Sequence, residues 1–147
     1  MNNLLDPKII TTQQLANIFN NAYMKIDDIE NDVIYLNIDS YIIWVSLKPS
    51  EERIYLACYS HILPDDQLIP HEDFIHKHIN LLNNTLFAKF TFFYHNQKGV
   101  LGSEFLYHYK FGLNPAQLVD ICYFLQRNAK EALKITSNSL QEQGLLK

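Results

Sequence analysis

The stretch that decides the fold is residues 87–110, FAKFTFFYHNQKGVLGSEFLYHYK. Apolar or aromatic residues alternate with other residues in its first half and again in its second half, which is the pattern of two strands that each bury one face. The two apolar faces coincide if Phe90 lies opposite Phe105, and this register requires a four-residue loop at 96–99. The sequence therefore predicts a β-hairpin whose core face carries Phe90, Phe92, Leu101 and Phe105.

Periodic patterns outside this hairpin predict three further strands and three helices. The strands are expected at residues 33–38, 41–47 and 53 to about 62. The helices are expected to start at Thr11 or Thr12, at Glu72, and at Pro115, with Asn114 as the cap. Each helix carries a stripe of apolar residues at helical spacing, so each has one face to bury.

The order of these elements, α-β-β-β-α-β-β-α, predicts an α+β fold with a five-stranded, mainly antiparallel sheet packed with three helices. The helix before the hairpin is long enough to return across the sheet, so the last strand is expected between the third and fourth strands. We expect one domain over residues 1–147 with an ordered core at about 10–136. The tail, residues 137–147, loses the apolar pattern and is expected to fray.

The composition argues against several classes of function. The net charge is −4 and charged residues are 19% of 147 residues, without the basic stripe of a nucleic-acid-binding protein. No apolar run approaches the roughly 18 residues of a membrane span. The opening sequence, MNNLLDPKII, lacks the basic and apolar segments of a signal peptide. We therefore expect a cytoplasmic protein with no nucleic-acid or membrane partner.

The chain has two cysteines and one histidine-rich segment that could carry chemistry. Cys58 and Cys122 are far apart and are expected to be free, buried thiols. In residues 71–78, HEDFIHKH, Glu72 and His76 are four apart and could share a helix face as metal ligands do. The segment is not an HExxH motif, because Ile75 stands where the second histidine would be. We therefore expect no enzyme activity, metal or cofactor; a metal-dependent enzyme that uses His71 to His78 is the alternative.

The predicted strand at 41–47 is apolar on both faces, which a sheet with one buried face does not need. One explanation is that a helix covers the second face. The other is that this face binds a partner protein or a second copy of the chain, since large exposed apolar patches mark interfaces. The residues of this second face, called here the aromatic face, are Tyr35, Ile42, Trp44, Tyr55, Tyr59, Phe93 and Leu106.

Three segments resemble the YbjN-like family, described as proposed bacterial sensory transduction regulators. They are ITTQQLANIF at 10–19, FIHKHINLLNNTLFAKFTFF at 74–93 and GLNPAQLVDICYFL at 112–125. The resemblance covers about residues 10–135 and implies a fold similar to that of type III secretion chaperones. It also implies a small cytoplasmic, non-enzymatic binding protein that often pairs with itself, and it brings no catalytic residues.

Pattern and resemblance together lead to one expected function and one close alternative. We expect a non-enzymatic protein-binding domain with a regulatory or chaperone-like role, which binds a protein partner or itself as a homodimer. The alternative is a dedicated secretion chaperone for an effector protein, which would hold an extended client segment in exposed apolar grooves.

Overall fold

The computed structural model describes residues 4–146, which form an α+β fold with an antiparallel sheet and three long helices. The helices are α1 (Thr12–Asn21), the short α2 (Asp65–Leu68), α3 (Glu72–Thr85) and α4 (Pro115–Glu142). The strands are β1 (Lys25–Glu30), β2 (Val33–Ile38), β3 (Tyr41–Lys48), β4 (Arg53–Pro64), β5 (Lys89–His95) and β6 (Lys98–His108).

The sheet has six strands in the order β1-β2-β3-β4-β6-β5, so the prediction of five strands is wrong. The missed strand is β1, whose sequence KIDDIE is almost entirely exposed and lacks the alternation that marks a half-buried strand. It forms because it pairs with β2 in a short antiparallel ladder. The predicted place of the last strand is confirmed, since β6 lies between β4 and β5.

Two-residue turns join three pairs of strands: β1 to β2, β2 to β3, and β5 to β6. Asn31 and Asp32 have φ of 49° and 62° between β1 and β2. Asp39 and Ser40 have φ of 50° and 68° between β2 and β3, which places Ile38 opposite Tyr41. Asn96 and Gln97 have φ of 49° and 60° between β5 and β6. Positive φ at both central residues is the geometry whose twist suits a two-residue hairpin.

The four-residue loop predicted at 96–99 is therefore wrong, and the hairpin register moves by two residues. Phe90 lies opposite Ser103 and Phe92 opposite Leu101. Because side chains repeat every two residues, a shift of two leaves the same side chains on the same face. On that face Phe90 and Leu101 are buried, and the other two predicted core residues, Phe92 and Phe105, are partly buried.

Gly99 lies in β6 rather than in the loop. The shorter loop accounts for its position in the strand, and its surroundings account for the absence of a side chain. A Cβ atom at this position would collide with the side chain of Leu68 and crowd the ring of Phe92. Gly99 thus leaves room for the Leu68 side chain to pack on β6, and it does not form the left-handed turn that the sequence indicated.

By its internal contacts the chain forms two compact units. The first unit comprises the described residues up to Cys58 together with Phe105–Gln126. The second comprises Tyr59–Glu104 together with the described residues from Arg127 onward. β4, β6 and α4 each supply residues to both units. One domain over residues 1–147 stays a prediction, and residues 1–3 and 147 lie outside the described part of the chain.

The first unit buries the inner face of β2, β3 and β4. α1 begins as predicted, because the Thr11 hydroxyl accepts a hydrogen bond from the Gln14 amide at 3.2 Å. Ala57 of β4 is completely buried on the opposite face, beside Trp44. The completely buried residues of the core face alternate along each strand. They are Ile34, Leu36, Ile43, Val45, Ile54 and Leu56, and the buried helix residues include Leu15, Phe19, Leu118 and Leu125.

The second unit packs α2, α3 and the end of α4 with β5. Leu68, Ile75 and Leu140 form a buried cluster, and Phe92 and Tyr94 of β5 pack against it. α4 does not end near Thr136 as the lost apolar pattern indicated, but continues to Glu142. The reason is a single anchor, Leu140, which is completely buried in this cluster and is too isolated in sequence to create a periodic signal.

Candidate functional site

In the first unit, the aromatic face is built around a cross-strand pair. Tyr35 of β2 lies opposite Trp44 of β3, and their rings meet edge to face with centroids 5.1 Å apart. Trp44 and Leu106 remain 39% and 42% exposed. Ile42 and Tyr55 are partly buried. These residues lie on the strand face opposite the core positions and present apolar surface to solvent.

In the second unit, the aromatic face contains Tyr59 and Phe93. Their rings meet edge to face at 5.7 Å, and Phe93 is 40% exposed. The ring of Tyr59 lies over Gly102 of β6, where a Cβ atom would stand 3.2 Å from it and 2.6 Å from Thr91 Oγ1. Gly102 therefore makes room for Tyr59 to reach across β6 toward Phe93 on β5.

The helix contacts that define the core lie on the other face of the strands. In the first unit Phe105 of β6 meets Phe124 of α4 edge to face at 6.5 Å. In the second unit Phe92 and Tyr94 pack with residues of α3 and α4. The binding role of the aromatic face stays a prediction, but the partial exposure of its largest side chains distinguishes them from core residues.

Most of the histidine-rich segment lies in α3, and its histidines have different surroundings. His76 is exposed, and His78 is buried at 5% exposure with its ring stacked on Phe74. The nitrogen Nε2 of His78 lies 2.8 Å from Thr136 Oγ1, whose own proton goes to the Ala132 carbonyl at 2.7 Å. With the hydroxyl proton directed to Ala132, Nε2 donates to Thr136 Oγ1 and has no lone pair free for a metal. Among residues 4–146, no group of three or more His, Cys, Asp or Glu residues could hold a metal ion.

Both cysteines are free and buried, as predicted. Burial raises the pKa of the Cys58 thiol to about 12 and raises that of Cys122 as well. A thiol is nucleophilic only as the thiolate, so neither residue has the environment of a catalytic cysteine.

A site that the sequence did not predict lies at the outer edge of β5. Glu72, Ile75 and His76 of α3 and Phe92, Phe93 and Tyr94 of β5 line a cavity of about 120 Å³. Phe93 points to one face of the sheet and its neighbours to the other, so the cavity lies beside the strand edge. Its volume is well below the roughly 300–1,000 Å³ of small-molecule sites, which suits one side chain better than a cofactor.

A larger groove of about 620 Å³ lies in the first unit, between α1 and the first turns of α4. It is lined mainly by aliphatic side chains, with Asp120 as its single carboxylate. Gln14 also lines it, and its oxygen Oε1 is buried without a hydrogen-bond partner among the described residues. The groove can therefore hold a mainly apolar ligand that donates one hydrogen bond to Gln14, but its lining holds no acid–base pair.

Comparison with solved structures identifies the fold. The chain superimposes on YbjN from E. coli, described as a proposed transcription regulator, with a TM-score of 0.72 and 11% identity over 93% of this chain and 96% of that one. It also matches an uncharacterized protein from Methanothermobacter thermautotrophicus, with a TM-score of 0.64 and 12% identity over 88% of this chain and 99% of that one. The chain thus has a YbjN-like fold.

Sequence comparison adds no family or function to this result. No family model matches the chain, and no curated protein matches it. In the part of the chain that the structure describes, no helix is both long and apolar enough to cross a membrane.

Proposed function

We propose that this protein is a non-enzymatic protein-binding domain with a regulatory role, and that its aromatic face is the binding surface. The observation that carries the proposal is the Tyr35–Trp44 pair, which lies on the face opposite the core with Trp44 39% exposed. A partly exposed tryptophan among tyrosines is the composition of interface hot spots, whereas a solvated sheet face usually carries polar residues.

The same surface is suited to self-association. A two-fold dimer needs only one surface that is complementary to itself, which makes it the commonest soluble oligomer. Flat sheet faces bearing aromatic residues meet this requirement because their side chains can interdigitate. We therefore propose a homodimer in which the aromatic face of one protomer packs, around Trp44, on the aromatic face of its partner.

Light scattering on a sizing column tests this proposal. We expect a mass of twice 17.2 kDa at micromolar concentration, and a mass near 17.2 kDa for Trp44→Glu with an unchanged circular dichroism spectrum. Tyr123→Glu is the matched control, since Tyr123 is an exposed aromatic of α4 at 38% exposure and lies outside the aromatic face. A monomeric wild-type protein, or a dimer that survives Trp44→Glu, contradicts the proposed dimer.

A dedicated chaperone for a secreted effector is the second candidate. Its support is the resemblance of the sequence to YbjN-like proteins, which implies a fold similar to that of type III secretion chaperones, and the acidic net charge of −4. A chaperone holds an unfolded client segment, so the two candidates differ in the state of the partner. Limited proteolysis of a captured partner separates them: a chaperone protects an extended segment of a few tens of residues, and a regulator binds a folded domain.

A further inference from the structure

The edge of β5 is the second surface of this protein that could bind a partner, and its backbone is open. β5 is the last strand of the sheet order, with β6 on its inner side. The two-residue turn makes His95 and Lys98 a hydrogen-bonded pair, so Phe93 and Thr91 also point their backbone groups at β6. Phe90, Phe92 and Tyr94 then point theirs outward, since the direction alternates along a strand.

A side chain already pairs with this edge at one position. The Phe90 amide donates to Asn83 Oδ1 at 2.7 Å, and Asn83 Nδ2 donates to the Phe90 carbonyl at 3.0 Å. An asparagine amide has the donor and acceptor of a peptide group, so Asn83 takes the place of one residue of an adjacent strand. The outward groups of Phe92 and Tyr94 have no such partner among residues 4–146.

The cavity beside these open groups has one acidic residue and one histidine, His76, in its lining. Glu72 is one of its lining residues. Burial raises the pKa of the Tyr94 hydroxyl, and the negative charges of Glu72 and Asp65 raise it further. The Tyr94 hydroxyl is itself buried without a hydrogen-bond partner among the described residues. A bound cation would be attracted here and a bound carboxylate repelled.

We propose that the β5 edge binds an extended peptide segment as an added strand, with an apolar side chain in the cavity and a lysine or arginine beside Glu72. Main-chain hydrogen bonds to Phe92 and Tyr94 supply affinity in this mode, and the side-chain contacts supply selectivity. The inference rests on the proposed protein-binding role but uses residues other than the aromatic face. Because Glu72 lines the cavity, a basic segment of another chain is the occupant that the local charge favours.

The probe is the peptide acetyl-Val-Lys-Val-Thr-Val-Lys-Val-amide, with a glutamate version and a backbone N-methylated version as controls. We expect the lysine peptide to bind about tenfold more tightly than the glutamate peptide. The N-methylated peptide should bind no more tightly than the glutamate peptide. In a ¹⁵N-resolved titration, the amide signals of Phe92 and Tyr94 should shift most.

Two exposed acids of one helical turn provide a matched pair of variants. Glu72 lines the cavity and Asp73, its neighbour, does not. Glu72→Gln should weaken lysine-peptide binding about threefold, whereas Asp73→Asn should leave it unchanged. Tyr94→Pro removes one outward donor and a ring that lines the cavity, without removing a ladder hydrogen bond. It should abolish binding while the circular dichroism spectrum is retained.

The proposal is wrong if no peptide saturates the protein, or if the lysine and glutamate peptides bind equally. It is also wrong if Phe92 and Tyr94 shift with protein concentration alone, which would assign this edge to a second copy of the chain. Binding of the lysine peptide to Trp44→Glu separates the two surfaces, because the variant should lose the dimer and keep the peptide. A monomeric wild type that still binds the peptide would contradict the proposed dimer only.

Discussion

The two edges of the sheet are protected to very different degrees. β1 carries four charged residues in six, and the register shift between Ile26 and Asp28 places a bulge in it. β5 carries the apolar sequence KFTFFYH without a bulge or a proline. Charges and bulges are the means by which natural sheets prevent edge-to-edge pairing. The comparison indicates that the outer edge of β1 is protected against pairing with another strand. The outer edge of β5 lacks such protection, except at Phe90, where Asn83 covers it.

The largest expected difference between the edges is in stability. Phe90→Ala should lower the free energy of unfolding by about 3–5 kcal/mol, because Phe90 is only 2% exposed and its removal leaves a cavity in the core. Ile29→Ala on β1 should change it by no more than about 0.5 kcal/mol, since Ile29 is 45% exposed. Urea denaturation followed by circular dichroism measures both. Equal losses in the two variants would show that β1 is anchored as firmly as β5.

The sequence predicts one of these edges and not the other, for a physical reason. β5 faces a core, so its alternation is visible, and an error of two residues in the loop did not move any side chain to the wrong face. β1 packs almost nothing, so no periodicity marks it. Its pairing with β2 is a tertiary fact that a hydrophobic pattern does not encode.

The candidate sites divide in the same way. The aromatic face followed from strand parity, which places Trp44 and Tyr35 on one side. The β5 edge did not, because it depends on which strand is outermost and on a side chain, Asn83, that reaches it from a helix. The buried contact between His78 and Thr136 was equally hidden, since it joins residues 58 positions apart.

The next largest effect concerns the residue that covers part of the β5 edge. Asn83→Ala should cost about 2 kcal/mol, because it removes two hydrogen bonds to Phe90. Asn84→Ala is the matched control: it makes the same change in helix propensity, and Asn84 is exposed without a side-chain hydrogen bond among the described residues. The difference between the two unfolding free energies isolates the edge contact. A difference near zero would mean that water replaces Asn83 without loss.

Asn83→Ala also tests how much of the β5 edge is open to a partner. Removing Asn83 opens the outward groups of Phe90 and lengthens the free edge from two residues to three. We expect the lysine peptide to bind Asn83→Ala more tightly than it binds the wild type, and Asn84→Ala to bind it as the wild type does. Weaker binding to Asn83→Ala would indicate that Asn83 orients the edge rather than blocking it.

Acid should weaken the unit that contains β5 through His78. Burial lowers the pKa of His78 below its ordinary value of 6.5, so the folded state binds a proton less readily than the unfolded state. The stability that this neutral histidine contributes is complete above pH 6.5 and is lost as the pH falls through the lowered pKa. The unfolding free energy should therefore decrease from pH 7.5 to pH 5 by a smaller amount in His78→Gln. An unchanged slope in His78→Gln would assign the acid sensitivity to other groups.

The smallest expected effect on stability comes from removing the protection of β1. Lys25 and Asp27 form an exposed ion pair at 3.3 Å, and Asn37 donates a hydrogen bond to Asp27 at 3.0 Å. That hydrogen bond is the main cause of the lowered pKa of Asp27. Exposed pairs of this kind add little to stability, so the double variant Lys25→Val, Asp27→Val should unfold at nearly the wild-type urea concentration.

Association is the property that this variant should change. It removes one positive and one negative charge, so the net charge of −4 is kept and general solubility is not the variable. A β1 without these charges approaches the apolar character of β5, and we expect its mass in light scattering to rise more steeply with concentration. Lys130→Ala, Glu131→Ala removes the same charges from the exposed side of α4 and should behave as the wild type. The rise should stay modest because the bulge at Asp27 remains and keeps the edge irregular. If both double variants associate equally, the charges of β1 reduce association of the protein surface in general and do not specifically protect the β1 edge.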